Sequence, residues 1–510
     1  MKKSKLWISS LLIALTASIL VFAFPFSKIL ELKTRDFRAF LSRGNTVTAP
    51  VIIVAIDDLS FEKINIRWPW PRQILAEAIV RLKDAGARVI GLDIMMGDAG
   101  YSVEEDDALA SALEYAENVV LPLKRDSRES GGQFIDYFDM PLSIFDKPAI
   151  SHGYVNLLID KDNYVRGVLP SDSSVGNVKY PFALSILSAY EDSEITGDQN
   201  QIHMGERIIP GARDKSFLIN YADAGAFPVL PFYKLLEGDF DSQLFWDKMV
   251  LIGAFFQESH DRSLTPVEKT SGLYGIEIHA NIINTVYSEK FLQDIPRSIE
   301  QFIILLLSCI GAFLFVRVKP ATGLVITMVI LFFYSLLSYF LYKASGIIIE
   351  LFNPVFTVFL TWLGAILYNY LIVEKEKKYV RHTFSRFVSA EVVDSILDRN
   401  ENIELGGELR EVVIFFSDIC GFTSMSEKMS PADVVEMLNE YFTRMSNIIF
   451  KYDGTLNKYI GDAIMAIYGA PVAMENASLK ALKASLEMRE DLKLFNDERI
   501  KGGKEPVNIG

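Results

Sequence analysis

The chain has 510 residues, which is too long for one compact domain and favours two or three. Hydrophobic residues make up 50% of it and the mean hydropathy is +0.22, both high for a soluble enzyme. The formal net charge of −14 argues against a nucleic-acid partner, because nucleic-acid binding needs a basic domain or stripe. Only two cysteines are present, Cys309 and Cys420, which argues against a disulfide framework and a structural zinc site.

Four apolar segments account for the high hydropathy. Each is about as long as the ~20 residues that a membrane-spanning helix needs. A cleavable signal peptide is the competing interpretation of the first segment, but that run is long and shows no clear cleavage site. The sequence therefore predicts four spanning helices, at residues 7–26, 298–316, 320–342 and 347–373.

Basic residues beside these segments predict how the chain crosses the membrane. Lysines lie within residues 1–6, Arg317 and Lys319 separate the second and third segments, and further basic residues follow residue 373. Because basic residues are retained on the cytoplasmic side, we expect the N-terminus and everything after residue 373 to be cytoplasmic. Residues 27–297 are then expected outside the cytoplasm, with membrane lipid around the four helices.

The outer segment begins with alternating strand and helix patterns. The run "PVIIVAIDD" at 50–58 predicts a buried strand, and residues 73–84 carry apolar side chains at helical spacing. A second strand is predicted from "ARVIGLDIM" at 87–95. Strand, helix and strand in so short a span indicate a right-handed parallel unit and hence an α/β domain.

Acidic residues mark the ends of both predicted strands. Asp57 and Asp58 follow the first strand, and Asp93 lies in the second. Ligands tend to bind at strand ends in open α/β sheets, so Asp57 and Asp93 are candidates for a sensor ligand site, with helix caps and turns as the alternative. The nearby "WPWPR" at 68–72 predicts a stiff aromatic turn whose role is packing.

Several motifs in this segment resemble the CHASE extracytoplasmic sensor family of the second type. The resemblance covers most of residues 30–290. It implies a sensor followed by three membrane helices and a cytoplasmic signalling domain, and it does not identify the signal. The motifs are "IIVAIDDLSF", "WPWPR", "VIGLDI", "LIGAFFQESHDRSLTP" and "GIEIHANIINT".

Residues 374–405 are expected to form a signalling helix between the membrane and the output domain. Apolar residues recur there at intervals of three and four, which places them on one face of a helix. Packing onto its own domain is one interpretation, and pairing with a second copy in a parallel dimer is the favoured one. The stripe consists of Val380, Phe384, Phe387, Val388, Val392, Ile396 and Leu397.

The C-terminal segment, residues 406–510, places two acids at the ends of predicted strands. "VVIFFSDICGFTSMSEKMS" at 412–430 starts as a buried strand and ends it on Asp418. A helix is predicted to begin at Ser430, and "YDGTLNKYIGDAIMAIYG" at 452–469 then alternates as a hairpin does, with Asp462 at its turn. Adjacent strands of one sheet would bring the two carboxylates together.

Two neighbouring carboxylates repel each other, so both stay ionised only if a cation lies between them. Mg²⁺ is the usual one, because it takes oxygen ligands and keeps substrate phosphates as the remainder. The turn from Gly421 to Thr423 could cradle those phosphates with its backbone amides. These residues point to a nucleotide-phosphate enzyme, and two structural turn aspartates are the alternative.

Both motifs together closely resemble the class III nucleotide cyclases, whose catalytic domain has a palm-type, ferredoxin-like α/β fold. The segment "FSRFVSAEVVDSIL" also resembles the region that precedes this domain in bacterial members. The resemblance implies two Mg²⁺ or Mn²⁺ ions per site, bound by Asp418, Asp462 and the Ile419 carbonyl, and a homodimer. It implies that Lys458 reads the base, as a lysine does in adenylate cyclases. The implied nucleotide-binding residues are Asp418, Ile419, Cys420, Gly421, Phe422, Thr423, Lys458, Ile460, Gly461 and Asp462.

Taken together, the patterns predict a multidomain protein of the bacterial inner membrane with an α/β sensor, four membrane helices and a cytoplasmic cyclase domain. Its expected reaction converts ATP to cyclic AMP and pyrophosphate. A guanylate cyclase, or a non-catalytic receptor with a cyclase-like domain, is the alternative. In the family "VNIG" at 507–510 begins a strand in the middle of the domain. We therefore expect the chain to hold the N-terminal half of the domain, too little for cyclisation.

Overall fold

A computed structural model describes residues 2–24, 27–42, 44, 46–130, 132–197, 201–210, 216–384 and 409–510. The chain divides into two compact units, Met1–Ala365 and Ile366–Gly510, and each is described by itself. The helices before residue 385 are α1 (Lys2–Ala23), α2 (Ser27–Leu41), α3 (Asp58–Ile64), α4 (Arg72–Asp84), α5 (Val103–Ala116), α6 (Ser143–Asp146), α7 (Phe182–Glu191), α8 (Phe232–Glu237), α9 (Gly275–Tyr287), α10 (Arg297–Phe315), α11 (Pro320–Ser345) and α12 (Phe352–Phe384).

Strands of the first unit alternate with these helices. They are β1 (Val51–Ile56), β2 (Val89–Asp93), β3 (Val119–Ser130), β4 (Gln133–Asp139), β5 (Ser151–Tyr154), β6 (Leu158–Ile159), β7 (Val165–Val168), β8 (Ile195–Gly197), β9 (Gln201–Met204), β10 (Arg207–Pro210), β11 (Phe217–Leu218), β12 (Val229–Pro231), β13 (Met249–Ala254), β14 (Arg262–Ser263), β15 (Leu273–Tyr274), β16 (Gln293–Asp294) and β17 (Ile347–Ile348).

The main sheet of this unit has the strand order β12-β1-β13-β2-β3-β4, with β5 paired to β3. Strands β1 and β2 both run parallel to β13, which agrees with the α/β domain that the sequence predicts. The two are not neighbours, however, because β13 lies between them and pairs with both. The short parallel unit expected from residues 50–95 is therefore completed by a strand from much later in the chain.

Apolar layers cover both faces of this sheet. Helix α4 packs Ile79 and Leu82, both fully buried, against one face. Helices α7 and α9 cover the other face, where Phe182 and Ile276 are also fully buried. Burying a side chain of this size contributes about 1.5–3 kcal/mol relative to leaving it in water, so the apolar faces of these helices hold the sheet in place.

The predicted aromatic turn at 68–72 packs into the domain, which confirms the structural interpretation. Trp70 is buried, and its indole N–H donates to the Ile66 carbonyl at 3.0 Å. The rings of Trp68 and Trp70 lie edge to face, with centroids 5.5 Å apart. Phe256 contacts the same cluster from the loop after β13, so the turn closes one end of the sheet.

In the part of the chain that the structure describes, three helices are long and apolar enough to cross a membrane, namely Arg297–Phe315, Pro320–Ser345 and Phe352–Ile372. A fourth candidate is the pair Trp7–Ala23 and Ser27–Leu41, which bends by 83°. The expected start of the last span at residue 347 is wrong. Strand β17 pairs with β16 there, and the helix begins only at Phe352.

The second unit contains β18 (Val413–Ser417), β19 (Thr455–Ile460) and β20 (Ala463–Tyr468) in the order β18-β20-β19, with α13 (Phe422–Ser426), α14 (Pro431–Lys451) and α15 (Ala477–Lys501). Helix α14 begins as predicted, because the Ser430 side chain accepts the Asp433 amide at 3.2 Å. Helices α14 and α15 pack on one face of the sheet, over the fully buried Tyr441 and Tyr468.

The prediction that residues 412–416 form a buried strand is wrong in its burial, although β18 forms there. Ile414 and Phe416 are 53% and 59% exposed, whereas Ser417 is buried. One face of β18 is thus open, although the run is apolar throughout. Most of the predicted signalling helix, and all of its stripe after Phe384, lies outside the described residues.

The structure gives Asp57 a clear local role as the N-cap of α3. Its carboxylate accepts the Ser60 amide at 2.9 Å and the Ser60 hydroxyl at 2.6 Å. We expect Asp57→Ala to lower the free energy of unfolding of the sensor by about 1 kcal/mol, and Asp57→Asn to lower it much less, because Asn keeps the acceptor. Urea unfolding followed by tryptophan fluorescence measures both. Equal losses in the two variants would contradict the capping role.

Candidate active site

The two acids of the C-terminal unit meet at one end of an antiparallel strand pair. Strand β18 pairs with β20 in a register that sets Ser417 opposite Ile464. Asp418 follows the first strand directly. Asp462 precedes the second, at the two-residue turn between the paired residues Ile460 and Ala463. The predicted hairpin and the juxtaposition of its acid with Asp418 are both found in the structure.

Electrostatics at this strand end show how close the acids are. Burial raises the pKa of Asp462 above its ordinary value, and the neighbouring carboxylate of Asp418, within hydrogen-bonding reach, raises it further. The amide of Ile419 donates to Asp462 and partly offsets this effect. Tyr441 lies beneath the pair, where burial and the charges of both acids raise the pKa of its hydroxyl. Negative charge is thus concentrated at this strand end, and within the described part of the chain no basic side chain forms an ion pair with either acid.

The turn after Asp418 meets only part of what phosphate binding requires, namely a turn with unbonded backbone amides. Gly421 has φ +73°, adopts a left-handed conformation and faces open space, so an added side chain would strain the backbone without meeting a neighbour. The amides of Asp418 and Cys420, however, donate to the carbonyls of Gly510 and Asn508 at 3.0 and 2.8 Å. The Phe422 amide likewise donates to the Ile419 carbonyl at 3.4 Å. Within Asp418–Thr423, a phosphate would therefore depend on the amides of Gly421 and Thr423.

The strand predicted at "VNIG" forms a short bridge to this turn. Ile509 pairs antiparallel with Ile419, next to Asp418. Asn496 on α15 fixes the approach, since its amide group donates to the Val507 carbonyl and accepts the Val507 amide, both at 2.7 Å. The bridge explains why Ile419 is buried although the turn around it is not. Ile419 therefore offers its backbone, not its side chain, to the site.

Lys458 lies on the far strand of the hairpin. It is exposed on β19 opposite Met465, and in the described residues it forms no ion pair. Ile460 ends that strand and Gly461 turns it with φ +65°. Two residues of strand separate Lys458 from Ile460, about 7 Å. Among the described residues, Lys458 therefore forms no ion pair with Asp418 or Asp462, and its side chain is exposed.

In the sensor the structure does not bring the predicted ligand residues together. Asp57 and Asp93 lie at the ends of β1 and β2, with β13 between them, which separates their backbones by about 10 Å. Asp58 is the first residue of α3. Asp93 has a different acidic neighbour, Asp261, which lies in the motif "LIGAFFQESHDRSLTP" but is not among the site residues predicted from the sequence. Burial and the charge of Asp261 raise the pKa of Asp93 to about 7.

The described residues contain no group of three or more acidic, histidine or cysteine side chains that could hold a metal ion. In the C-terminal unit the available protein ligands are therefore the carboxylates of Asp418 and Asp462 and backbone carbonyls such as that of Ile419. This is a small, all-oxygen set. A divalent ion there would complete its coordination with water or with the oxygens of a bound phosphate.

Two protein families match the chain. The CHASE2 domain matches residues 11–313, which is more than half of the chain. The adenylate and guanylate cyclase catalytic domain matches residues 407–509 and includes both acids and the turn between β18 and α13.

Individual relatives match the C-terminal part. An adenylate cyclase of Anabaena cylindrica is 40% identical over 134 residues, which are 25% of this chain and 26% of that protein. Adenylate cyclase 1 of Rhizobium meliloti is 36% identical over 24% of this chain and 18% of its own length. The crystal structure of the guanylyl cyclase Cya2 is 36% identical, with a TM-score of 0.20, over 21% of this chain and 54% of its own.

The chain spans about a quarter or less of the two curated relatives, so the matches concern the domain around the two acids and not whole proteins. The segment that matches the cyclase domain nevertheless includes both Asp418 and Asp462. The chain belongs to the CHASE2 domain family and joins that sensor to a C-terminal adenylate and guanylate cyclase catalytic domain.

Proposed function

We propose that the protein is a membrane-bound sensor adenylate cyclase, which converts ATP to cyclic AMP and pyrophosphate under the control of its CHASE2 domain. One observation carries the proposal. Asp418 and Asp462 lie side by side at a strand end, inside the segment that matches the cyclase domain. Caps and turns do not require two repelling carboxylates in contact, whereas a metal-dependent phosphate site does.

Mg²⁺ or Mn²⁺, two ions per site, is the cofactor that these residues fit. The ligands would be Asp418, Asp462 and the Ile419 carbonyl, all oxygen donors. Burial and the neighbouring Asp418, which raise the pKa of Asp462, support this assignment, because a bound cation would stabilise both carboxylates in their charged form. Bound there, the metal ions would supply charge neutralisation at the phosphates and would activate the attacking oxygen.

In the proposed reaction the 3′-oxygen of ATP bonds to the α-phosphorus while the bond from that phosphorus to the β-phosphate oxygen breaks. The 3′-hydroxyl gives its proton to solvent water, and pyrophosphate leaves. In the turn from Gly421 to Thr423, the amides of Gly421 and Thr423 would hold the phosphates. Lys458 would donate a hydrogen bond to the unprotonated ring nitrogen of adenine, a position that is protonated in guanine and cannot accept.

A homodimer is part of the proposal because the sheet beside the acids is uncovered. Ile414 and Phe416 are exposed on β18 next to Asp418, and Ile460 is exposed at the hairpin end. A second copy laid over this face would bury the apolar side chains and enclose the nucleotide. Exposed apolar patches beside polar residues are typical of such interfaces.

The three apolar helices and the CHASE2 domain support a membrane protein. We propose four spans in the bacterial inner membrane, with α1 as the first, the sensor outside and the cyclase domain inside. The extracytoplasmic signal has no chemical identity yet, and Asp93 with Asp261 is a more compact acidic pair for it than Asp93 with Asp57.

A cyclase assay on membranes that contain the protein tests the proposal, with ATP and GTP compared as substrates. Cyclic AMP made from ATP in preference to cyclic GMP from GTP is the expected result. Preferential use of GTP would establish a guanylate cyclase instead. Nucleotide binding without either product would establish a non-catalytic receptor.

Metal binding has a consequence for stability that needs no turnover. We expect Mg²⁺ at a hundredfold excess over its dissociation constant to raise the free energy of unfolding of the C-terminal unit by about 2.7 kcal/mol. Asp418→Asn and Asp462→Asn should each remove this gain. Asp497→Asn, which changes an exposed acid on α15, should not. Thermal unfolding with and without Mg²⁺ measures the effect.

The same measurement has a defined pH dependence. Because the pKa of Asp462 is raised in the folded state, metal-free stability should fall as pH rises through that pKa, where the repulsion from Asp418 develops. The gain from Mg²⁺ should instead appear as pH rises, since protons compete with the metal. A gain that is the same in Asp418→Asn and the parent protein would contradict the metal assignment.

Turnover should depend on both acids. We expect Asp418→Asn or Asp462→Asn to reduce cyclic AMP formation to background while the protein remains folded and dimeric. Circular dichroism checks that the variants remain folded, and gel filtration checks that they remain dimeric. Near-parental activity of either variant with Mg²⁺ or Mn²⁺ would refute the site assignment.

Lys458 should affect the nucleotide and not the metal. Loss of a hydrogen bond to a charged donor costs about 1.5–3 kcal/mol, so Lys458→Glu should lower kcat/KM for ATP roughly ten- to hundredfold. Lys493→Glu, an equal charge reversal at an exposed position of α15, serves as the control. The Mg²⁺-dependent stabilisation should persist in both variants. An unchanged ratio of ATP to GTP use in Lys458→Glu would show that this residue does not read the base.

A further inference from the structure

Helix α2, which follows α1, has its polar and apolar faces reversed relative to a helix of a soluble domain. Its charged residues Glu31, Asp36 and Arg38 are buried. Its large apolar residues instead point outward from the protein. Those exposed side chains are Ile29, Leu30, Phe37, Phe40 and Leu41.

The buried charges hold α2 to the ends of two apolar helices. Arg38 pairs with Glu31 at 2.8 Å and donates to the Ser338 hydroxyl of α11 and the Ile349 carbonyl, both at 2.6 Å. The other oxygen of Glu31 accepts the amides of Leu351 and Phe352 at 2.9 and 2.8 Å. Glu31 therefore satisfies amides at the N-terminal end of α12.

Further charges hold the same face of α2 to the sensor. Asp36 accepts two hydrogen bonds from Arg166 of β7, at 2.7 and 2.8 Å. Arg35 pairs with Asp294 of β16 at 2.6 Å, just before α10. With its polar face fixed on both sides, α2 cannot turn its apolar face inward.

The direction of α2 places its apolar face level with the ends of the apolar helices α1, α11 and α12. Helix α1 packs against α10, where the rings of Trp7 and Phe313 lie 4.7 Å apart. At the other end of α1, the ring centroids of Phe24 and of Phe356 on α12 are 5.4 Å apart. The 83° bend then sends α2 nearly perpendicular to α1, across the ends of the apolar bundle.

We propose that α2 is an interfacial helix whose apolar face lies in lipid, at the boundary between headgroups and acyl chains of the outer leaflet. Helices that lie in this plane bury their apolar face in the lipid, and their opposite face, which carries the charged residues, points away from the acyl chains. Lipid is the occupant that the structure favours, because the face continues from helices whose own outward surfaces are apolar, such as Phe332 of α11. This inference rests on the proposed membrane location.

Spin labels placed on single cysteines in the full chain test it. Cys309 and Cys420 are first replaced by serine, and the protein is reconstituted in vesicles of phosphatidylethanolamine and phosphatidylglycerol. Test positions are Phe37→Cys and Ile29→Cys, which are 55% and 43% exposed. Controls with the same native residue are Phe332→Cys on α11, 64% exposed, and Phe134→Cys on the sensor hairpin, 75% exposed. Collision with oxygen and with a water-soluble nickel chelate is measured at each position.

We expect the ratio of oxygen to nickel accessibility at Phe37 and Ile29 to move from the value at Phe134 toward that at Phe332. A ratio equal to that at Phe134 would overturn the inference, since it would place the face in water. Labels shielded from both reagents, or broadened by a second label, would also overturn it, because protein would then cover the face. If Phe332 itself were accessible to nickel, the membrane location would fail instead.

Discussion

The ion pair between Glu31 and Arg38 is the constraint on which the membrane-proximal part of the structure depends. Both side chains are buried, and between them they bond α2 to α11 and to the start of α12. Removing one partner of a buried pair typically costs about 3–5 kcal/mol, because the other charge is left without compensation. Since Asp36 of the same helix also holds Arg166, a displacement of the sensor and a displacement of α12 are mechanically joined through one short helix.

The C-terminal unit has the opposite arrangement, in which two like charges lie together and, among the described residues, neither forms an ion pair. Strand pairing fixes the backbone on either side of Asp418 and Asp462 and so holds the two carboxylates near each other. The fold thus retains a repulsion at one end of the sheet. Beside it, the exposed Ile414 and Phe416 leave one face of β18 open.

Sequence patterns predicted local structure well and spatial neighbours poorly. Alternation around Gly461 and Asp462 gave the hairpin, and the apolar run ending at Asp418 gave its partner strand, because both depend on adjacent residues. Burial of Ile414 and Phe416 was predicted wrongly, since an apolar run does not show which face is covered. The orientation of α2 is not predictable from the sequence for a related reason. A helical pattern has two faces, and only the structure shows that the charged face of α2 is the buried one. The pairing of Asp93 with Asp261 depends on β13, far along the chain.

The position of β13 also determines the order in which the sensor can fold. Strands β1 and β2 are apolar on both faces, and neither finds its main partner until Met249–Ala254 has been synthesised. At ~5–20 residues per second this interval lasts roughly ten seconds or more. During that time two apolar strands each have an unpaired edge, and unpaired edges can pair with another chain. The domain therefore closes late in synthesis, shortly before α10 emerges, and its need for chaperones should be concentrated in that interval.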